Sequence, residues 1–127
     1  MEKSHLHILV VDDDKDIAEL VRSFLREYNV STAYNLEMAQ NIVHSEDVDL
    51  IISDVNLGGA SGIDLLREMQ KVAPQTPVVL ISGYDKEMMP VTALAEKAFS
   101  FVEKPFDESD IVSAVNLALR TKLAQAA

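Results

Sequence analysis

The stretch Ile8-Leu9-Val10-Val11-Asp12-Asp13-Asp14 passes without a break from apolar side chains to three consecutive carboxylates. The run Leu6–Val11 is short and rich in β-branched residues, which reads as a buried strand ending in a charged loop. Beyond it Ile17, Leu20, Val21, Phe24 and Leu25 recur at helical spacing, and Asp14 stands where a side chain caps the start of that helix. The same alternation then repeats: strand Val30–Ala33, helix Leu36–Ser45, strand Leu50–Ser53, helix Gly62–Val72, strand Val78–Ser82, a helix within Lys86–Ala95, strand Phe99–Val102 and a last helix Glu108–Lys122. Strands of this kind, each followed by a helix, call for a parallel sheet covered on both faces, an α/β doubly wound architecture of five strands and five helices.

Composition narrows the chemistry. A chain of 127 residues with 48% hydrophobic side chains holds one core and is short for two, so residues 1–127 are expected to form a single domain, with 1–4 and 124–127 as frayed ends. The net charge of -10 speaks against direct nucleic-acid binding, which needs clustered Lys and Arg to displace counterions from phosphates. The absence of cysteine removes disulfide and thiolate chemistry, and His5, His7 and His44 are too scattered to make a zinc site. The apolar runs are strand-sized and broken by charge, so no membrane span is expected and a cytoplasmic location is the default.

In open parallel sheets the ligand site lies beyond the carboxyl ends of the strands, where strand order reverses. Polar residues gather at those ends here: Asp12 and Asp13 after the first strand, Asp54 after the third, Ser82 at the end of the fourth and Lys104 after the fifth. Crowded carboxylates repel, and they either raise a pKa or hold a cation. Oxygen ligands without cysteine or histidine favour a hard ion, and so small a set suits Mg²⁺ better than an enclosing Ca²⁺ cage. An Asp carboxylate can attack phosphorus to give an acyl phosphate, so Asp54 is the candidate nucleophile, with Lys104 and Ser82 as the charge and hydroxyl that phosphoryl transfer asks for. Taken singly each residue has an ordinary reading. Asp12, Asp13 and Asp14 can cap a helix, and Ser82-Gly83 and Lys104-Pro105 can be turns. The weight lies in four strand ends converging on one charge-compensating set.

Together these segments resemble the receiver domain of bacterial two-component response regulators, over essentially the whole chain. The opening strand with its acidic run is similar to the family's own; so are Ile51-Ile52-Ser53-Asp54-Val55-Asn56-Leu57 around the phosphoacceptor, Leu80-Ile81-Ser82-Gly83-Tyr84 around the switch hydroxyl, and Phe101-Val102-Glu103-Lys104-Pro105-Phe106 around the lysine. The resemblance implies a flavodoxin-like fold of strand order 2-1-3-4-5. It implies Mg²⁺ held by Asp12, Asp13, Asp54 and the backbone carbonyl of Asn56, phosphorylation of Asp54 assisted by Lys104 and Ser82, and a cis bond before Pro105. It further implies that Ser82 and the ring of Phe101 move on phosphorylation and remodel the surface of the fourth helix, fifth strand and fifth helix. Phe101 can equally be a plain apolar residue on a half-buried strand, and it lacks the hydroxyl a tyrosine would offer.

Several positions depart from the family. Gly58-Gly59 stands where a proline is common and should loosen that loop; Lys97 replaces a usual glycine, Ser100 a common aspartate, and Pro90 falls within the expected fourth helix. The implied partners are a sensor histidine kinase or histidine phosphotransfer protein as donor, docking near the first helix, and a downstream protein or an output domain as receiver of the signal, with neither nucleic acid nor membrane in direct contact. Such a domain phosphorylates and dephosphorylates itself and is not a conventional turnover enzyme. Two other readings compete: an aspartate-based phosphatase, which would need a second carboxylate as acid and a substrate cap for which the loops leave no room, and a phosphate-independent interaction module with a receiver fold.

Overall fold

The structure, a computed structural model, describes residues 2–83 and 98–126. The helix expected within Lys86–Ala95, together with Pro90 and Lys97, lies outside the described residues.

Five parallel strands, β1 (His7–Val11), β2 (Asn29–Ala33), β3 (Leu50–Asp54), β4 (Val78–Ser82) and β5 (Ser100–Glu103), form one sheet in the order β2-β1-β3-β4-β5. The described helices are α1 (Lys15–Phe24), α2 (Leu36–Ser45), α3 (Gly62–Val72) and α4 (Glu108–Ala126), and a short 3-10 turn, Lys3–His5, precedes β1. Strand order reverses between β1 and β3, and the right-handed crossovers of parallel units place helices on both faces.

Side-chain alternation sorts the strands into two cores. Ile8, Val10, Leu50, Ile52, Val79, Ile81 and Val102 pack with Ala18, Val21 and Leu25 around α1 and with Ile111, Val115, Ala118 and Leu119 of α4. Leu9, Val11, Ile51, Val78 and Leu80 face the other way, against Ala39 of α2 and Ile63, Leu65, Leu66 and Met69 of α3. Since both faces are covered, β1, β3 and β4 are buried along their whole length, and each fully buried Leu or Ile contributes about 1.5–3 kcal/mol. Leu20 departs from its expected place: it is 43% exposed, while Ala18 and Val21 carry the inner face of α1.

The helix starts are fixed by side chains that accept otherwise unpaired amide protons. Asp14 accepts from the amides of Asp16 and Ile17, Asn35 from Met38 and Ser61 from Ile63. At the start of α4, Asp107 Oδ1 accepts from the amide of Asp110 at 3.0 Å while Asp110 Oδ2 accepts from that of Asp107 at 2.9 Å, a reciprocal capping pair. That helix runs to Ala126, beyond the expected stop at Lys122.

Candidate functional site at the carboxyl edge of the sheet

Asp12, Asp54 and Lys104 continue the strand rows Ile8-Val10, Leu50-Ile52 and Val102, so the two-residue period delivers all three toward the α1 and α4 side of the sheet. Lys104 Nζ donates to Asp54 Oδ2 at 2.6 Å and lies 3.9 Å from Asp12 Oδ2. Asp54 Oδ1 accepts from the amide of Asn56 at 2.9 Å. Asp12 is 2% exposed; its Oδ1 accepts from the amide of Asp14 at 2.9 Å, and its own amide donates to the Ala33 carbonyl at 3.0 Å. Asp13 is exposed, yet one carboxylate oxygen from each of Asp12, Asp13 and Asp54 lies within 4.8 Å of the others.

Ser82 enters from the neighbouring strand. Asp54 is registered opposite Ile81, one residue before it, and the Ser82 carbonyl accepts from the amide of Lys104 at 2.8 Å. The Lys104–Pro105 peptide is cis, as the resemblance implied. Every strand-end residue singled out from the sequence therefore belongs to this edge. Phe101 sits opposite Leu80 and is half-buried against the α2 and α3 core.

The electrostatics refine one expectation. A raised carboxyl pKa was anticipated from repulsion among three acids, and the group that carries it is Asp12, pushed up to about 6. Burial is its first cause; the amide of Asp14 opposes the shift, the charge of Asp54 adds to it, Lys104 lowers it and Asp13 raises it. Lys104 is pulled down by burial, but the hydrogen bond and charge of Asp54, with Asp12 and Asp13 behind it, outweigh that and hold its pKa above the ordinary value of 10.5. Among the described residues, two buried atoms here have no hydrogen-bond partner: Asp12 Oδ2 and Ser82 Oγ. Buried oxygens left this way cost free energy unless a ligand or ion completes them. The all-oxygen donor set with an unpaired carboxylate oxygen fits a hard divalent cation.

Sequence reasoning did not find the back wall of the site. The loop after Asp54 folds on itself: the Leu57 amide donates to Ala60 O at 3.0 Å, Asn56 bridges Ser61, and Asn56 Oδ1 accepts from the Gly58 amide at 3.1 Å. Gly58 and Gly59 adopt φ of 60° and 94°, a conformation that proline cannot reach, so the segment expected to be loose is a closed turn. Its end brings Gly62 against Asp54 and the buried Ser53, whose Oγ donates to the Asp54 carbonyl at 3.0 Å. The available clue was a glycine at the first helical position after a serine cap, where alanine is the better helix former.

A doubly wound sheet of this order, with three carboxylates, a lysine and a hydroxyl at its carboxyl edge, defines a receiver-type signalling domain. The family model described as the response regulator receiver domain matches residues 8–116, and the chain belongs to that family. It is 36% identical over 116 residues to the response regulator protein PilR of Pseudomonas aeruginosa, covering 90% of this chain and 26% of that protein. To the transcriptional regulatory protein GlrR of Escherichia coli it is 33% identical, covering 94% and 27% respectively. The chain thus spans about a quarter of the length of these relatives. Among solved structures, the receiver domain of NtrX from Brucella abortus superposes with a TM-score of 0.84 at 35% identity, covering 90% of this chain and 98% of that one. A response regulator receiver domain protein from Clostridium thermocellum gives 0.87 at 28% identity, covering 94% and 98%. Among the described residues, no helix is long and apolar enough to cross a membrane.

Proposed function

We propose that this receiver takes a phosphoryl group from a phosphohistidine onto Asp54 in a Mg²⁺-dependent reaction, and that the bound group then alters the surface built on β5 and α4. The observation that carries the reading is the Asp54 carboxylate at a buried strand end, with Lys104 Nζ 2.6 Å away and oxygens of Asp12 and Asp13 within 4.8 Å. Asp12, Asp13, Asp54 and the Asn56 carbonyl would hold the ion, which when bound offsets charge on the carboxylates and phosphoryl oxygens.

Asp54 Oδ attacks phosphorus as the P–N bond to the imidazole breaks; the imidazole leaves with the bonding pair and takes up a proton, and an acyl phosphate remains on Asp54. Lys104, already paired with Asp54, turns its charge to the new phosphoryl oxygens. Ser82 Oγ, buried and without a partner, donates to one of them, and that new hydrogen bond links phosphorylation to the β4–β5 edge. Hydrolysis by water attack on phosphorus returns the carboxylate.

The donor is a sensor histidine kinase or a histidine phosphotransfer protein, and residues 1–127 act as one receiver unit whose output is read by a downstream protein or domain. The test is incubation with acetyl phosphate and Mg²⁺. The wild type should gain one hydroxylamine-labile phosphoryl mass, and Asp54→Asn should gain none. Equal labelling of the two proteins would reject the assignment.

A further inference from the structure

We infer that Gly62, the first residue of α3, is a positioning residue for Asp54: the absence of a side chain there lets the Asp54 backbone take the place that aims its carboxylate at Lys104. The inference rests on the phosphoacceptor reading above. A methyl group built on Gly62 would overlap the Asp54 carbonyl oxygen, and it would stand 2.8 Å from Ser53 Oγ and 3.2 Å from the Asp54 carbonyl carbon. Two of these three atoms are backbone, so no rotamer change can clear them.

Conformational freedom does not explain this glycine. Gly58 and Gly59 are the glycines with positive φ, and Gly62 sits in an ordinary helix start, where intrinsic propensity favours alanine. Space alone excludes the side chain. Nor can α3 simply withdraw, because the Gly62 amide donates to the Val55 carbonyl at 2.9 Å and the Ser61 hydroxyl holds the Ile63 amide at 3.0 Å. Met69, Leu65 and Leu66 of the same helix are buried in the core beyond. The strand end is tied too: the Val55 amide donates to Ile81 O at 2.9 Å, and the Asn56 amide to Asp54 Oδ1 at 2.9 Å. A methyl at residue 62 therefore pushes on the Asp54–Val55 peptide, and the push is delivered to a carboxylate whose bond to Lys104 is 2.6 Å long.

The test compares wild type and Gly62→Ala in the full chain by circular dichroism, thermal melting with and without Mg²⁺, and the rate of acetyl-phosphate labelling well below each melting midpoint. The expected result is a cooperatively folded variant that is labelled at least tenfold more slowly, with a smaller rise in melting temperature on adding Mg²⁺. A lower metal-free melting temperature with labelling rate and Mg²⁺ response within twofold of wild type would make Gly62 a packing residue and overturn the inference. If Gly62→Ala does not fold, the double variant with Ser53→Ala clears the nearby hydroxyl while leaving the backbone overlap. Slow labelling of the folded double variant supports the inference; wild-type labelling, or failure of the double variant to fold, overturns it. Absence of label on the wild type would instead reject the phosphoacceptor reading itself.

Discussion

At the edge where β1, β2 and β3 begin, a cluster around His7 pairs its buried polar groups, and among the described residues Ser100 Oγ at the start of β5 is the buried oxygen left open there, whereas at the edge where the strands end two are left open within one site. His7, 7% exposed, has Nδ1 2.9 Å from the Asp47 carbonyl, which can only accept, so Nδ1 carries a proton and in the neutral ring Nε2 accepts from Ser31 Oγ at 2.7 Å. Asp49 Oδ2 accepts from the His7 amide at 2.8 Å, and Lys122 of α4 reaches the Asp49 carbonyl at 3.2 Å and its Oδ1 at 3.3 Å. At the opposite edge, among the described residues, Asp12 Oδ2 and Ser82 Oγ are buried with no hydrogen bond, and Asp12 and Asp54 share Lys104 with Asp13 grouped beside them. The same sheet thus spends polar residues at one end on fastening α4 to β1 and β3, and at the other on a cluster that leaves buried oxygens open. On the phosphoacceptor proposal, stability belongs to the first edge and chemistry to the second.

The largest expected effect is at the open edge. The folded-state pKa of Asp12 is about 6 against an ordinary 3.8, so the native state binds this proton more tightly than the unfolded chain does. That contribution to stability is fully present below the ordinary value and is lost as pH rises through about 6. Metal-free wild type should therefore lose up to about 3 kcal/mol across this window from Asp12, since one pKa unit is worth about 1.4 kcal/mol. Asp12→Asn should remove most of that dependence and melt higher than wild type at neutral pH without metal. It should also gain less from Mg²⁺. Urea titrations of both proteins across the window decide it; parallel pH profiles would mean that Asp12 is not the strained group.

The paired edge should respond in the opposite sense. Asp49→Ala strands the His7 amide and removes the carboxylate partner of Lys122, leaving it the backbone carbonyl, and should lower stability by about 2 kcal/mol. The stabilisation by Mg²⁺ should stay at its wild-type value, because the change lies at the far end of the sheet. Thermal melts with and without Mg²⁺ read both quantities, and a reduced Mg²⁺ response would mean that the two edges are coupled.

How far these edges could be read in advance follows from the range of the interactions that build them. The bounds of α2, α3 and β4 agree with the sequence reading, because caps and apolar periodicity are local. The carboxyl edge was legible because topology alone gathers strand ends there. The His7 network was not: its members Ser31, Asp47 and Asp49, and Lys122 come from β2, the α2–β3 loop and α4, and only the folded register makes a lone histidine a clasp. Gly62 escaped for the same reason, since its crowding by Ser53 and Asp54 depends on how the β3–α3 loop closes. The exposure of Leu20 shows that helical spacing marks a stripe without fixing which of its members face inward.

The smallest effect separates a cap from a ligand. Asp14 accepts from the Asp16 and Ile17 amides at 2.9 and 3.3 Å, next to the acidic site but serving α1. Asp14→Ala should cost about 1 kcal/mol and leave the Mg²⁺-induced rise in melting temperature unchanged. Loss of that rise would bring Asp14 into the ion's ligand set.

The central claim, that the open edge exists to carry phosphate on Asp54, is tested most directly by peptide mass mapping of the wild-type chain after incubation with acetyl phosphate and Mg²⁺. Borohydride reduction of the acyl phosphate before digestion marks the modified residue. The account predicts a single reduced site at Asp54, absent when Mg²⁺ is withheld. A mark on Asp12 or Asp13, or a stable phosphate on a hydroxyl side chain with Asp54 unmodified, would contradict it.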